Sequence, residues 1–181
     1  MLTALLVIAA AIVALLAYAS TRPPTFRIER SARIAAGIPT VGALIDNFRE
    51  WRKWSPWEAL DPQLQRTYSG AEAGTGAVYE WSGNGKAGKG RMEITEMRAT
   101  GSHGLIAIKL DFFKPFKANN IAEFVMTGTD DGGTELQWSM SGPSPFMSKL
   151  MGVFINIDKL VGKDFEKGLA SLKQLAEQAP R

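Results

Sequence analysis

An alternation of apolar and polar side chains dominates the middle of the chain, from residue 64 to residue 141. A period of two residues places every second side chain on the same face of a β-strand. The apolar positions are Ala77, Tyr79 and Trp81; Met92 and Ile94; Ile106, Ile108, Leu110 and Phe112; Ala122, Phe124 and Met126; and Leu136, Trp138 and Met140. Clusters of Gly, Asn and Asp separate these runs, which is typical of hairpin turns. The pattern predicts an antiparallel meander with one apolar face, because strands joined by short turns pair with their neighbours in sequence.

A single amphipathic stretch follows the predicted sheet. After Pro145 the chain runs to residue 178 without another proline, and apolar side chains recur at spacings of three and four from Leu150 to Leu172. This spacing predicts one helix over residues 145–178, about 50 Å long at a rise of ~1.5 Å per residue. A helix with one broad apolar face has to bury it, and we expect the apolar face of the sheet to be its partner.

Two further elements precede the sheet. Residues 25–34, TFRIERSARI, begin with alternating apolar and charged side chains, which predicts a first strand with one wet face. Pro39 then opens a stretch with helical spacing, and a first helical turn tolerates proline. The apolar members of this stretch are Val41, Leu44, Ile45 and Phe48. We expect a pair of short helices that ends near Trp54.

The segment FREWRKWSPWEAL at residues 48–60 holds three of the five tryptophans, Trp51, Trp54 and Trp57. Pro56 interrupts the segment, because proline removes a backbone donor and restricts the residue before it. We therefore expect a helix end that turns into a packed loop. Two compatible interpretations remain: the indoles fix the short helices onto the sheet, or Trp54 and Trp57 form the rim of a pocket.

The first 19 residues, MLTALLVIAAAIVALLAYA, contain no charged side chain. As a helix they would reach about 28 Å, close to the ~30 Å hydrocarbon core of a bilayer. The triplet Ala17-Tyr18-Ala19 favours a signal peptide, whereas the lack of Lys and Arg before the apolar run favours an uncleaved anchor. We expect a single-pass membrane protein with an anchor at residues 1–20, a stiff linker at 21–24 and one domain at 25–178.

Basic residues follow the predicted span. They are Arg22, Arg27, Arg30 and Arg33. By the positive-inside rule this arrangement favours a cytoplasmic domain, although the side of the membrane stays open. A basic stretch beside a membrane is attracted to anionic headgroups. We do not expect nucleic-acid binding, because the basic residues are interleaved with apolar and acidic ones instead of forming a stripe.

The composition excludes several kinds of chemistry. The 181 residues include no cysteine, which rules out disulfides, thiolate metal sites and cysteine nucleophiles. His103 is the only histidine and lies close to Gly101 and Gly104 in an apparent turn, so zinc or iron sites built from histidine pairs are also ruled out. We expect neither a metal nor a cofactor.

The stretch GNGKAGKG at residues 83–90 nearly matches a phosphate-binding loop. Gly83, Gly88 and Lys89 fit the pattern, but Gly90 stands where a Ser or Thr hydroxyl would bind magnesium. A phosphate loop also opens a helix, whereas the RMEITEM that follows has the pattern of a strand. We therefore expect a glycine-rich hairpin.

Few side chains are candidates for acid–base chemistry. Asp158 and Asp164 lie within the predicted helix, and Glu80 and Glu123 lie on predicted strands. An acid in such a position is either a buried carboxyl with a tuned pKa or a surface partner of a lysine, as Asp164 with Lys167. No catalytic residue is assigned.

The connector DFFKPFKANN at residues 111–120 combines aromatic and cationic side chains. The aromatic residues are Phe112, Phe113 and Phe116, and the cationic residues are Lys114 and Lys117. Such a composition is typical of a membrane interface, and GPSPFM at residues 142–147 is similar. The alternative is an ordinary hairpin with partly buried rings.

The order of these elements, a strand, two short helices, six antiparallel strands and one long C-terminal helix, is that of the helix-grip fold. The chain resembles the polyketide cyclase/dehydrase and lipid transport family of the START-like (SRPBCC) superfamily, particularly its bacterial membrane-anchored members. The matching stretches are FRIERSARI, FREWRKWSPWEALDP, YSGAEAGTGAVYEW, GKGRMEI and DKLVGKDFEKGLASLK, within residues 25–176. The resemblance implies an α+β domain of Bet v 1-like type, in which a curved antiparallel sheet wraps around the C-terminal helix.

The resemblance also implies an apolar cavity between the sheet and the helix. Its expected lining comprises Trp54, Trp57, Tyr79, Trp81, Ile108, Leu110, Phe124, Trp138, Met140, Met151, Phe154 and Ile157. Flexible methionines suit variable contents, but an interior filled by side chains would show the same pattern. We expect the cavity to bind a hydrophobic or lipid-like small molecule at the membrane surface, for transport or sensing. The alternatives are a cyclase- or dehydratase-type enzyme with the same pocket and an interaction module; the oligomeric state stays open.

Overall fold

The computed structural model describes residues 1–178, which form one β-sheet and four α-helices. The helices are α1 (Leu2–Thr21), α2 (Ile38–Asp46), α3 (Phe146–Phe154) and α4 (Ile157–Gln178). The strands are β1 (Thr25–Ile34), β2 (Gln65–Gly70), β3 (Ala77–Ser82), β4 (Lys89–Thr100), β5 (His103–Lys114), β6 (Ala118–Gly128) and β7 (Thr134–Pro143). Two turns of 3-10 helix, Glu50–Lys53 and Pro56–Ala59, follow α2 and lie within residues 48–60, which we call the tryptophan segment.

All seven strands join one antiparallel sheet in the order β1-β7-β6-β5-β4-β3-β2. The predicted meander is confirmed, since β2 to β7 pair in sequence order. The predicted first strand is also confirmed, and it pairs with β7 so that Ile28 lies opposite Met140. Trp138 of β7 lies between Arg30 of β1 and Phe124 of β6. The apolar positions of the alternation face the interior, where most of them are buried.

The sheet is curved, and an irregularity in the pairing of β4 with β5 contributes to the bend. Their register shifts between Ile94 and Glu96. An extra residue in one strand bends that strand and increases its local twist. Helix α4 packs against the sheet and lies close to β1 and α2, with Phe165, Leu169 and Leu172 buried.

The prediction of one helix over residues 145–178 is wrong. The chain is extended at Ile155, with φ −119° and ψ 120°, and a new helix begins at Ile157. Asn156 explains the restart, because its Oδ1 accepts a hydrogen bond of 2.8 Å from the backbone N–H of Lys159 and so caps α4. As a result α4 is only about 33 Å long, and α3 packs against α1.

Helix α1 stands apart from the core. Among its residues only Ala19 is buried, and its length and composition are sufficient to cross a membrane. The segment after α1 is tied to the sheet, because the backbone N–H of Ser144 donates a hydrogen bond of 2.7 Å to the carbonyl of Pro24. The C-terminal end of α1 therefore lies next to the start of β1 and the end of β7.

The predicted glycine-rich hairpin is confirmed between β3 and β4. The N–H of Gly83 donates to the carbonyl of Gly88, and the N–H of Gly88 donates to that of Asn84, each at 2.8 Å. Gly88 has a φ of 66°, in the left-handed region that favours glycine. A strand follows this turn, so it does not present a helix N-terminus to a phosphate.

Candidate ligand-binding cleft

The middle of the interior is closed by a cluster of aromatic rings. Trp138 is 2% exposed and stacks on Phe165 of α4 with 4.1 Å between the ring centroids. Two more rings surround Trp138. The centroid of Phe124 lies 4.9 Å from that of Trp138, and the centroid of Trp54 lies 5.6 Å from it. Trp57 also contacts Trp138, at 5.5 Å. The chain's own side chains therefore fill the space below this part of α4.

The tryptophan segment is held in this cluster by hydrogen bonds as well as by packing. The Nε1–H of Trp51 donates to the carbonyl of Ile45 at 2.9 Å, and that of Trp54 donates to the carbonyl of Leu44 at 2.8 Å. Both indoles thus satisfy their polar atom while burying the ring. This geometry supports the interpretation that the segment fixes α2 onto the sheet.

Helix α4 approaches the cluster closely because it carries a glycine at the contact. A Cβ atom at Gly168 would lie 2.8 Å from Cζ3 of Trp138 and 3.2 Å from Cδ of Pro56. Carbon atoms pack at about 3.5–4.0 Å, so the contact has no room for a side chain. At Gly168, therefore, α4 packs directly on the aromatic cluster, and no ligand fits between them.

An open cleft of about 880 Å³ lies at the other end of the interior. It is bordered by the residues that follow α1, the start of β1, the β5–β6 hairpin, the end of β7, α3 and the first turns of α4. The large apolar side chains of its wall are Phe26, Ile28, Phe112, Met140, Val153, Phe154, Ile155, Ile157 and Val161. The break between α3 and α4 therefore forms part of the cleft, and a single continuous helix would have given a different wall.

One buried amide faces this apolar wall. Asn120 of β6 is 7% exposed, and its Nδ2 lies 3.8 Å from Sδ of Met140, which is a weak acceptor. A side chain at Gly142 would collide with the Oδ1 of Asn120, so the glycine leaves room for the amide. The cleft thus offers a hydrogen-bonding group that is only weakly satisfied by the chain itself.

A charged cluster holds the start of α4 against β1 beside the cleft. The Nη2 of Arg30 lies 3.1 Å from Oδ2 of Asp158, and its Nε lies 2.8 Å from Oε1 of Glu166. The hydrogen bond to Asp158, followed by that to Glu166, raises the pKa of the Arg30 guanidinium. Gly162 makes room for this guanidinium, since a Cβ there would collide with it. Asp158, a carboxylate of the cleft wall, is therefore engaged in an ion pair.

The mouth of the cleft is cationic. Arg22, Lys117 and Lys149 border it, and none of the three forms an ion pair within residues 1–178. Arg27, which also borders the cleft, is by contrast paired with Glu29 at 2.9 Å and with Glu123 at 3.2 Å. The uncompensated cations thus collect on the side where α1 joins the domain.

A smaller depression of about 280 Å³ lies on the opposite side, near β2 and the start of β3. The Arg49 guanidinium stands 4.6 Å from the centroid of the Tyr68 ring at its wall. Beside it, the Tyr79 hydroxyl donates to Glu58 at 2.6 Å, and Glu58 also accepts from Arg66 at 2.6 Å. Burial and then the bond to Glu58 raise the pKa of Tyr79. Glu58, Arg66 and Tyr79 thus satisfy one another, which supports a structural role, whereas the Tyr68 hydroxyl is buried and has no hydrogen-bond partner among the described residues.

The twelve residues expected to line a cavity fall into separate places. Three of them border the cleft: Met140, Phe154 and Ile157. Six are buried in the core: Trp54, Tyr79, Ile108, Leu110, Phe124 and Trp138. Trp57 and Trp81 are partly buried against that core, and Met151 is exposed on α3. As a ligand-binding set, the twelve residues remain a prediction.

Sequence reasoning did not select several residues of the cleft wall. Phe26 and Ile28 share the inward face of β1, so the alternation of the first strand was a usable signal. Asn120 was named only as part of a connector. Its position in the wall depends on the register in which Leu110 of β5 lies opposite it, and a sequence pattern does not reveal register between two strands.

A family model described as polyketide cyclase / dehydrase and lipid transport matches residues 25–177. No curated protein matches the sequence significantly. Among solved structures, the Zhui aromatase/cyclase from Streptomyces sp. R1128 is similar with a TM-score of 0.59 at 12% identity, over 85% of this chain and 94% of that chain. Norcoclaurine synthase from Thalictrum flavum, in complex with dopamine and hydroxybenzaldehyde, is similar with a TM-score of 0.59 at 10% identity, over 87% of this chain and 90% of that chain.

A hypothetical protein from Helicobacter pylori has a TM-score of 0.63 at 6% identity, over 83% of this chain and 88% of that chain. At such identities the likeness concerns the fold, and a fold hosts many functions. These structures confirm the predicted helix-grip architecture, a curved antiparallel sheet with a C-terminal helix.

Proposed function

We propose that this chain, which belongs to the polyketide cyclase/dehydrase and lipid transport family of the SRPBCC superfamily, binds a hydrophobic or lipid-like small molecule in the cleft. The observation that carries the proposal is the open volume of about 880 Å³ with a largely apolar wall. Pockets for small molecules are commonly apolar clefts of about 300–1,000 Å³ with a few convergent polar groups. The closed aromatic half of the interior leaves this cleft as the place for the ligand.

The free energy that a ligand gains from apolar burial in the cleft indicates which other contacts it needs. A hydrocarbon chain that buries roughly 300 Å² of apolar surface would gain on the order of 7 kcal/mol. Association costs at least about 4 kcal/mol in lost freedom. Apolar burial alone would therefore support only weak binding. An additional polar contact is required for tight binding, so we expect an amphipathic ligand.

Asn120 is the residue that we assign to this polar contact. Its amide can donate two hydrogen bonds and accept two, and its only described side-chain partner is the sulfur of Met140. A carbonyl, hydroxyl or carboxylate on the ligand would satisfy it. A buried polar group without a good partner costs about 1–3 kcal/mol, and a ligand group that bonds to Asn120 would remove that cost.

We also infer that the cleft lies at a membrane surface. Helix α1 is the candidate anchor, and Arg22 and Pro23, which directly follow it, border the cleft. A domain at residues 25–178 would then hold its open end near the headgroups. A hydrophobic ligand could pass between the bilayer and the cleft without crossing water, which would suit either transport or sensing.

A cyclase- or dehydratase-type enzyme in the same cleft is the alternative function. It needs a group that exchanges a proton with the ligand. Asp158 borders the cleft, but Arg30 holds both of its carboxylate oxygens, at 3.2 and 3.1 Å. The arrangement therefore favours binding over proton transfer, and Asn120 contributes hydrogen bonds rather than a titrating group.

Photoaffinity labelling tests the proposal. The full chain, reconstituted into lipid vesicles, is irradiated with a fatty acid that carries a diazirine on its alkyl chain, and the adducts are mapped by peptide mass spectrometry. We expect adducts on the start of β1 and on the α3–α4 junction. Labelling confined to α1, or no labelling, would contradict the proposal.

A matched pair of glycine variants provides the control. A Cβ at Gly152 of the cleft wall meets no atom within 4 Å, and the same holds for Gly85 in the β3–β4 turn. Gly152→Trp should place an indole in the cleft and lower the labelling of the junction several-fold. Gly85→Trp should leave the labelling unchanged. Equal labelling in both variants would show that the adducts do not arise from a ligand inside the cleft.

A further inference from the structure

Large apolar side chains are exposed on two elements that border the mouth of the cleft. They are Phe113 and Phe116 in the β5–β6 hairpin and Phe146, Met147, Met151 and Phe154 on α3, and we call these six residues the mouth platform. Phe116 is 74% exposed and Phe154 is 73% exposed. Soluble proteins rarely leave a contiguous group of such side chains in water without a partner.

The two parts of the mouth platform surround a single opening. Phe112, Lys117 and Ala118 of the hairpin border the cleft together with Lys149 and Phe154 of α3. Helix α3 packs against α1, so the platform continues from the helix that is long and apolar enough to cross a membrane. This continuity points to the bilayer, rather than to a separate protein, as the surface that covers it.

The charges around the mouth platform match an anionic surface. Lys114 and Lys117 flank Phe116, Lys149 lies on α3, and Arg22 follows α1; none of these four forms an ion pair within residues 1–178. Each cation near an anionic leaflet contributes about 1 kcal/mol of attraction. Aromatic rings beside lysines are suited to the headgroup region.

The hairpin is held rigidly enough to present its rings. At its base Asn119 Nδ2 donates to Asp111 Oδ1 at 2.6 Å, and Lys109 Nζ lies 3.2 Å from Asp111 Oδ2. Strands β5 and β6 remain paired as far as Phe112 and Ala118. Phe113 and Phe116 therefore project from an ordered base, and inserting them into a membrane requires little additional ordering of the chain.

We propose that the mouth platform docks into the headgroup region of an anionic bilayer and opens the cleft directly onto it. This inference deepens the proposed function and rests on it for the membrane location. It adds a second membrane contact to α1 and identifies the ligand source as the lipid leaflet. The hairpin and α3 lie on either side of the entrance, so that a lipid-like molecule enters between them.

The absence of cysteine allows a direct test on the full chain. Phe116→Cys is labelled with an environment-sensitive fluorophore and reconstituted into vesicles of phosphatidylcholine with phosphatidylglycerol. Ser102→Cys, in the exposed β4–β5 turn, is the matched control, because it lies at the other end of β5, up to about 37 Å away. We expect a blue-shifted emission at position 116, quenched by spin-labelled lipid, and a water-like emission at position 102.

A second pair of conditions tests the role of charge. Replacing phosphatidylglycerol by phosphatidylcholine should weaken the quenching at position 116, and Lys114→Gln, Lys117→Gln and Lys149→Gln together should remove the preference for the anionic lipid. A water-like emission at position 116 in both lipids would overturn the inference. A blue shift without quenching by spin-labelled lipid would overturn it too, because a protein surface would then cover the platform.

The failure of this inference can be told apart from the failure of the proposed function. If the fatty acid labels the α3–α4 junction while the probe at Phe116 stays in water, the cleft binds a ligand but the platform does not dock. If the probe at Phe116 is quenched by lipid while the cleft is not labelled, the platform docks but the cleft does not bind the fatty acid.

Discussion

Two positions on β7 separate the closed half of the interior from the open half. Trp138 and Met140 lie on the same face of the strand, two residues apart, and both point toward the helical layer. Trp138 is enclosed by rings from α4, β6 and the tryptophan segment, whereas Met140 borders a cleft of about 880 Å³. An inward-facing position on a strand therefore does not determine whether packed side chains or an open cleft lies opposite it.

The two halves differ in which parts of the chain reach them. The closed half receives Trp51, Trp54 and Trp57 from one segment, and these rings meet Trp138 and Phe165. The open half is bordered by α3, which packs against α1. A region packed by many segments is a rigid support, and a region left open by the course of the chain can hold a ligand.

The greatest loss of stability is expected when the Trp138 side chain is removed. We expect Trp138→Ala to lower the free energy of unfolding by about 3–5 kcal/mol, because it removes a large buried ring and leaves a cavity. Met140→Ala should cost only about 1 kcal/mol, since Met140 is partly buried and borders an open cleft. Denaturant unfolding of the full chain in detergent micelles measures both values.

Trp138→Phe separates the packing of the ring from its polar atom. The Nε1 atom of Trp138 is buried and has no hydrogen-bond partner among the described residues. Trp138→Phe removes that unpaired donor and keeps an aromatic ring, so it should cost clearly less than Trp138→Ala. Equal losses for Trp138→Ala and Met140→Ala would contradict the distinction between a closed and an open half.

The next largest change in stability is expected at Gly168 of α4, and Gly152 of α3 provides the comparison. Gly168→Ala should lower the free energy of unfolding by about 1–3 kcal/mol, because its Cβ would press on the stacked ring of Trp138. Gly152→Ala, where a Cβ meets nothing within 4 Å, should be neutral or add up to about 1 kcal/mol of helix propensity. Thermal unfolding followed by circular dichroism compares the two variants, and a destabilised Gly152→Ala would show that the cleft is closed in solution.

A smaller change in the free energy of unfolding is expected at the junction between α3 and α4. Asn156→Ala removes the side chain that caps α4 and should lower the free energy of unfolding by about 1 kcal/mol. Asn156→Asp keeps an oxygen acceptor at the same place and should restore most of that loss. The same denaturant measurement applies. If both variants behave like the unchanged chain, the cap does not determine where α4 begins.

The smallest effect is a pH dependence at the base of the β5–β6 hairpin. Burial alone would raise the pKa of the Asp111 carboxyl, but the hydrogen bonds from Asn119 and Lys109 lower it below its ordinary value. Because the folded pKa is the lower one, the carboxylate stabilises the fold above a pH of ~3.9, and this contribution is lost as the pH falls through the folded pKa.

Carbon-13 NMR of the carboxyl groups measures this dependence. We expect the Asp111 midpoint below ~3.9 and expect Asn119→Ala to raise it. Asp131 in the β6–β7 turn is the control, since hydrogen bonds from Thr129 and Arg33 lower its pKa to about 2 independently of Asn119. An Asp111 midpoint that Asn119→Ala leaves unchanged would contradict the support that we assign to the hairpin base.

Much of the fold was predictable, because its signals are local. The alternation of β3 to β7 determined which side chains face inward, and the glycine clusters determined the turns. The break at Ile155 and Asn156 also has a local signal, an asparagine cap followed by Asp158 in the first turn, but the apolar spacing continues across it and predicted one helix. The candidate site was less predictable, since only three of the twelve expected residues border the cleft.

Sequence patterns alone are sufficient to identify the strands, their inward faces, the apolar N-terminal helix and the family to which the chain belongs. The location of the hollow part of the interior depends on tertiary packing. The reason is that the filled part depends on rings from α4, β6 and the tryptophan segment meeting around Trp138 of β7, and the open part depends on α3 leaving the line of α4. Contacts between distant segments leave no periodic trace in any one of them.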